Sequence, residues 1–213
     1  SHDSDSLIRA GVGKNPSTPV DALENLLGDP EMEVRYGVAV NPAVPPSLLE
    51  RLAGDADPWV RKGVASNPDT APQVLRRLAG DPDEGVREAV AANVNVPPDL
   101  LSQLAQLLVQ RLARSGDLET QWSVARVVKN SNTPVDVLRM LSTAEGDSLR
   151  RAVAENSRTP VDVLRALSVD ADTSLQIALG LSANPNTPVD VLQGLAGSAD
   201  ALVRQWVAGN AAT

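Results

Sequence analysis

The chain has 213 residues, a net charge of −8 and 42% apolar residues, enough for one sizeable core or one array of repeats. Aromatics make up only 2%, with no Phe, so that core has to be built from Leu, Val and Ala. Cys is absent and His2 is the only histidine, which excludes disulfides, iron–sulfur ligation and cysteine nucleophiles and leaves no basis for a zinc site, so no metal and no cofactor are expected.

Residues 1–6 read as a disordered leader and residues 7–213 as a single repeat domain. No apolar run is long enough to span a bilayer and no signal-peptide pattern opens the chain, so a soluble cytoplasmic protein is the expectation. An Asn then recurs at Asn15, Asn41, Asn67, Asn93, Asn130, Asn156, Asn184 and Asn210, at intervals of 26, 26, 26, 37, 26, 28 and 26. A fixed period of this size marks a repeat array. Seven residues before most of these Asn stands an aliphatic (Ile8, Val34, Val60, Val86, Leu149, Ile177, Val203), and three before each stands another, such as Val38 or Val64. A spacing of four places both on one face of a short first helix. A small residue lies between them in most repeats, as at Gly37, Gly63 and Gly180, and lets neighbouring backbones approach. The Asn is expected to close the helix in a left-handed conformation.

A second helix follows. Thr18-Pro19-Val20-Asp21 recurs at residues 133–136, 159–162 and 187–190, which reads as a Thr N-cap, a Pro in the first helical position and an acid that answers a free backbone donor. Leucine pairs then recur three apart, from Leu23/Leu26 to Leu192/Leu195, as one buried stripe. The interval from Asn93 to Asn130 holds 11 extra residues. Asp99–Arg114 reads there as one longer helix broken at Ser115-Gly116-Asp117; a bend in the array and a simple insertion both fit. No strand pattern is present, and the array amounts to about seven to eight two-helix repeats, an all-α solenoid.

The unit VRxxVAxNPxTPxxxLxxLAxD, carried best by Val34–Asp55 and Val60–Asp81, resembles the variant leucine-rich repeat family, and the likeness covers Ile8 to Asn210. It implies a right-handed superhelix of alternating α- and shorter, partly 3₁₀, helices. Some relatives carry an iron–sulfur module, which the missing cysteines exclude here. A HEAT-like feature accompanies it: Asp29/Arg35, Asp55/Arg61 and Asp81/Arg87 are each six apart, the arrangement with which HEAT repeats link neighbours. The later repeats keep Arg150 and Arg204 without that Asp, so a ladder should weaken there.

All four aromatics, Tyr36, Trp59, Trp122 and Trp206, fall on a second, variable face of the first helices, with Lys62, Arg126, Lys129, Arg151 and Glu155. In HEAT-like geometry this face lines a concave surface. Trp and Tyr are favoured at binding hot spots, although Trp59 could simply fill space beside glycines and Trp206 cap the core. The arginine column reads first as structural, bridging repeats, and second as part of a basic inner surface diluted by Glu33, Glu88 and Glu155. Catalytic constellations, Walker loops and GxGxxG are absent from the sequence. The expectation is a non-enzymatic scaffold that binds a peptide or protein on its concave face. Nucleic-acid binding is the alternative, and end-to-end self-association or membership of a larger chain stay open.

Overall fold

The computed structural model describes residues 5–115, 118–171 and 174–210. In chain order these form α1 (Ser6–Lys14), α2 (Val20–Leu26), α3 (Met32–Ala39), α4 (Pro46–Leu52), α5 (Pro58–Ser66), α6 (Pro72–Leu78), α7 (Glu84–Ala92) and α8 (Pro98–Ser115). They continue with α9 (Leu118–Lys129), α10 (Val135–Leu141), α11 (Asp147–Glu155), α12 (Val161–Ala171), α13 (Leu175–Ala183), α14 (Val189–Ala196) and α15 (Ala201–Ala208). Odd-numbered helices are the first helices of the repeats and even-numbered helices the second. No strand occurs among the described residues, and the architecture is an α-solenoid. Contacts divide the chain into two compact units, Ser1–Leu100 and Leu101–Thr213, and the repeat pattern runs through each.

Of the expected leader, residues 1–4 lie outside the described residues. Asp5 caps α1 by accepting from the Leu7 N–H at 2.8 Å, and Ser6 is the first helical residue.

The second helices α2, α4, α6 and α10 have only 7 residues each. Isolated helices of that length do not hold in water, so tertiary burial has to hold them. Both leucines of every predicted pair are buried, from 0% exposure at Leu23, Leu49 and Leu75 to 8% at Leu195. Each contributes about 1.5–3 kcal/mol by leaving water. The expected 3₁₀ content is not found among the described residues: the shorter helices are α, with i to i+3 bonds at their ends, as from Asp55 N to Leu52 O. The eleven additional residues of the irregular repeat lengthen a helix. α8 has 18 residues against 7 in α6, a difference of 11.

First helices pack on first helices: α1 on α3, α3 on α5 and α5 on α7 in one unit, α9 on α11, α11 on α13 and α13 on α15 in the other. The aliphatics from Val34 and Val38 to Val203 and Val207 lie in this core, while Ile8 stays 52% exposed. Small residues set the approach. A Cβ built on Gly37 would stand 2.7 Å from the Ala10 carbonyl oxygen, closer than real contacts allow.

Two punctuation residues act differently from their sequence reading. No Asn closes its helix in the left-handed region: Asn67 has φ −72° and ψ 126°, and Asn156 and Asn184 are likewise extended. Nor does Thr cap the second helix. Pro19, Pro134 and Pro188 hold the cap position, no side chain caps α2, α10 or α14, and the Thr hydroxyl points backward. Thr18 donates to the Val12 carbonyl, Thr70 to Val64 and Thr187 to Leu181, at 2.6, 2.6 and 2.7 Å. That carbonyl already accepts the N–H of the Asn three residues on, at 3.1 Å from Asn67 to Val64, and the hydroxyl six residues on fills its second lone pair. Val44 and Val96 occupy the same place in two repeats and are equally buried. Thr70→Val is therefore expected to cost about 1 kcal/mol in urea denaturation, the net worth of one hydrogen bond. An unchanged midpoint would deny the hydroxyl that role.

Candidate interaction surface

Inter-repeat polar links use up most of the arginine column, and this determines which charged groups remain for a partner. Arg9, Arg35 and Arg61 each form a two-pronged pair with the Asp twenty residues later, Nε to Oδ2 at 2.7 Å in each case: Arg9 with Asp29, Arg35 with Asp55, Arg61 with Asp81. The residues spaced six apart meet through the backbone instead. Arg35 Nη1 donates to the Asp29 carbonyl, Arg61 to that of Asp55 and Arg87 to that of Asp81, at 2.8, 2.9 and 2.6 Å. Arg35 and Arg61 thus each join the turn before their helix to the turn after their repeat, while Arg9 shows the later link and Arg87 the earlier one. The Arg9 guanidinium, hydrogen-bonded to Asp29, holds that carboxyl below its ordinary value. Burial pushes Asp55 and Asp81 up, but Arg35 and Arg61 together with backbone N–H groups bring both below the ordinary value. In the second unit Arg150 pairs with Asp147 of its own helix, and Arg204 donates to the Ser198 and Ala199 carbonyls.

In the unit Ser1–Leu100, Tyr36, Trp59 and Lys62 are brought to neighbouring first helices. Asp57 caps α5 by accepting from the Trp59 N–H at 2.8 Å, and Pro58 opens the helix, so Trp59 leaves the first turn outward and stays 57% exposed. One turn on, Lys62 places Nζ 4.9 Å from the Trp59 ring centroid, within cation–π range. Tyr36 is half-buried and lies under Lys14 Nζ at 5.7 Å, and a Cβ built on Gly63 would stand 3.1 Å from its ring edge. Its ring serves helix packing as much as any partner. Across from Trp59, Asp83 caps α7 by accepting from the Val86 N–H at 3.1 Å. Pro58, Trp59, Lys62, Asp83 and Gly85 line an open pocket of about 240 Å³.

In the unit Leu101–Thr213, Trp122 is 71% exposed on α9, with Arg126 and Lys129 exposed on the same helix. Arg151 is engaged: its Nε donates to Glu155 at 2.6 Å and its Nη1 to Gln176 Oε1 at 2.5 Å. Trp206 is 55% exposed on α15, beside the 54% exposed Leu202 one turn before. Neither Trp59 nor Trp206 fills the core. Sequence reasoning missed Pro58 and Asp83 as pocket walls. The signal for the pocket was Gly85, a missing side chain where aligned repeats carry Glu33, Trp59 and Trp122. Among the described residues no group of three or more His, Cys, Asp or Glu could hold a metal ion, and no helix is long and apolar enough to cross a membrane.

Comparison with known proteins agrees with this architecture. The family model "leucine rich repeat variant" matches residues 58–83, one full repeat that includes Trp59, Lys62 and Asp83. Among solved structures, the chain is similar to "a leucine-rich repeat variant with a novel repetitive protein structural motif", at 26% identity and a TM-score of 0.55 over 96% of this chain and 81% of that one. No curated protein matches the chain. The repeats are thus of the leucine-rich variant type, and a repeat fold of this kind suits a scaffold or interaction role.

Proposed function

We propose that the protein is a non-enzymatic scaffold that binds a peptide or a segment of a protein partner across the exposed face of its first helices. One observation carries this reading: Trp59, Trp122 and Trp206 all stand on first helices and are each more than half exposed, while the leucine stripe is buried throughout. Exposed Trp in a chain so poor in aromatics suits hot spots better than solvation. Within each unit a row of first helices offers an extended partner successive anchor points at the repeat spacing.

The nucleic-acid alternative would draw on the same face. It is less well supported, because Arg9, Arg35 and Arg61 are engaged with carboxylates, Arg151 with Glu155, and the net charge is −8. A mobility shift at low salt that fades at high salt would favour it. For the protein-binding reading, the double variant Trp59→Ala, Trp122→Ala is expected to weaken partner capture at least about 100-fold, two hot-spot losses of about 2 kcal/mol each being more than enough, while circular dichroism and the urea midpoint stay unchanged. Undiminished capture by the folded variant would overturn it.

A further inference from the structure

The pocket between α5 and α7 has a composition that selects its occupant. One wall is the Trp59 ring and the Lys62 side chain, with Lys62 Nζ standing over the ring. The opposite wall is Asp83, and the floor between them is open because residue 85 is glycine. A Cβ there would stand 3.1 Å from Asp83 Oδ1 and 3.6 Å from Lys62 Nζ, so any larger residue would fill the space. The cation in this pocket differs from those of the arginine column. Each of Arg9, Arg35 and Arg61 is saturated by a two-pronged carboxylate, whereas Lys62 has no carboxylate within 4.0 Å among the described residues and has the ring face as its contact. One oxygen of the Asp83 carboxylate accepts the Val86 N–H in capping α7.

Resting on the peptide-binding reading above, we infer that this pocket receives an acidic side chain lying next to an aromatic or large aliphatic residue in an extended segment of the partner. The carboxylate completes Lys62, which keeps its place against the ring. The apolar neighbour covers the exposed Trp59 and dries the pair, which strengthens it. A basic side chain fits worse, because it would meet the Lys62 charge and the ring face that Lys62 already covers. Repulsion from Asp83 directs the incoming carboxylate to the Lys62 side and so gives the pocket an orientation as well as a preference.

The test is selection of a displayed library of random twelve-residue peptides on the full chain, followed by affinity measurement on wild type, Trp59→Ala, Lys62→Gln and Gly85→Trp, each checked for fold by circular dichroism. Peptides lost with Trp59→Ala should be enriched in an Asp or Glu adjacent to an aromatic or Leu. Their affinity should fall about tenfold with Lys62→Gln or when the peptide Glu becomes Gln, and be abolished by Gly85→Trp, which fills the pocket while Lys62 and Asp83 are both retained. Trp59-dependent peptides without acidic enrichment, or insensitive to Lys62→Gln, would overturn this inference and leave the peptide-binding surface standing. Recovery of no Trp59-dependent peptide would overturn both.

Discussion

Asn67→Ala lowers the unfolding free energy by about 3 kcal/mol, and Asn67→Asp lowers it further. Asn67 is 3% exposed, and its side-chain amide is fully used. Nδ2 donates to the Ala39 and Asn41 carbonyls of the preceding repeat at 2.9 and 3.1 Å, and Oδ1 accepts from the Asp69 N–H at 2.9 Å. The same three bonds recur at Asn41, Asn93, Asn156 and Asn184, so a ladder of amides runs up each unit. Alanine takes the side-chain donor from the Ala39 carbonyl, leaves the Asn41 carbonyl with the Val44 N–H alone, and removes the acceptor of the Asp69 N–H, each orphaned buried group costing about 1–3 kcal/mol. Aspartate keeps the acceptor but aims a second oxygen at those carbonyls, so an unpartnered charge faces two dipoles. Burial there raises the carboxyl pKa in the folded state. The folded form then binds protons that the unfolded chain releases, and this variant gains stability as pH falls toward 4. Urea denaturation at pH 7 and pH 4 reads both effects. An aspartate variant as stable as wild type at pH 7 would mean the ladder does not join the repeats.

The second expected result has the opposite pH sense. Asp55→Asn destabilises the fold at pH 7 by about 2 kcal/mol, because the Arg35 guanidinium, 16% exposed against 8% for Asp55, loses its two-pronged charged partner. Fully buried pairs lose about 3–5 kcal/mol when one partner is removed; partial solvent contact and the remaining amide oxygen reduce the figure here. In the wild type, Asp29, Asp55 and Asp81 all titrate below their ordinary value of 3.8. The unfolded chain therefore takes up protons before the folded one does. The stability these rungs contribute is complete above the ordinary carboxylate range and is lost as pH falls through the lowered folded values, beginning below about pH 5. Asp55→Asn flattens that acid loss by one rung's share. Hydrogen-exchange protection of α3 and α5, followed from pH 6 to pH 3 with the intrinsic exchange rate corrected, measures it. A variant with the same acid slope as wild type would show that the rung does not carry the titration.

Much of the fold was legible because it rests on local spacing. The 26-residue period of Asn, the aliphatics four apart and the leucines three apart predicted first and second helices and their buried faces, and Leu23 through Leu195 lie where the stripe places them. The face carrying Trp59, Trp122 and Trp206 was visible for the same reason: helical position and residue type together exclude them from the stripe. The pocket beside Trp59 was only half legible. Gly85 and Lys62 sit on the variable face in the alignment, but Asp83 lies in a turn, and its position opposite Trp59 depends on how α7 packs on α5.

What the sequence by itself determined is the repeat, its two helices and the residues of its core, since periodicity records which side of a helix faces apolar neighbours. Only the tertiary structure decided what the polar punctuation does. Asn and Thr have strong local roles as helix stops and caps, and those roles were the natural reading of Asn67 and Thr18. The structure uses Asn67 across 28 residues and Thr18 and Thr70 backward across six, and it pairs Arg35 with Asp55 across twenty as well as with the Asp29 backbone across six. The physical reason is that stacking buries the carbonyls freed at each turn, and a buried carbonyl takes its donor from whichever side chain packing brings near. Distance along the chain does not encode that, because neighbouring repeats place in contact groups that spacing alone cannot relate.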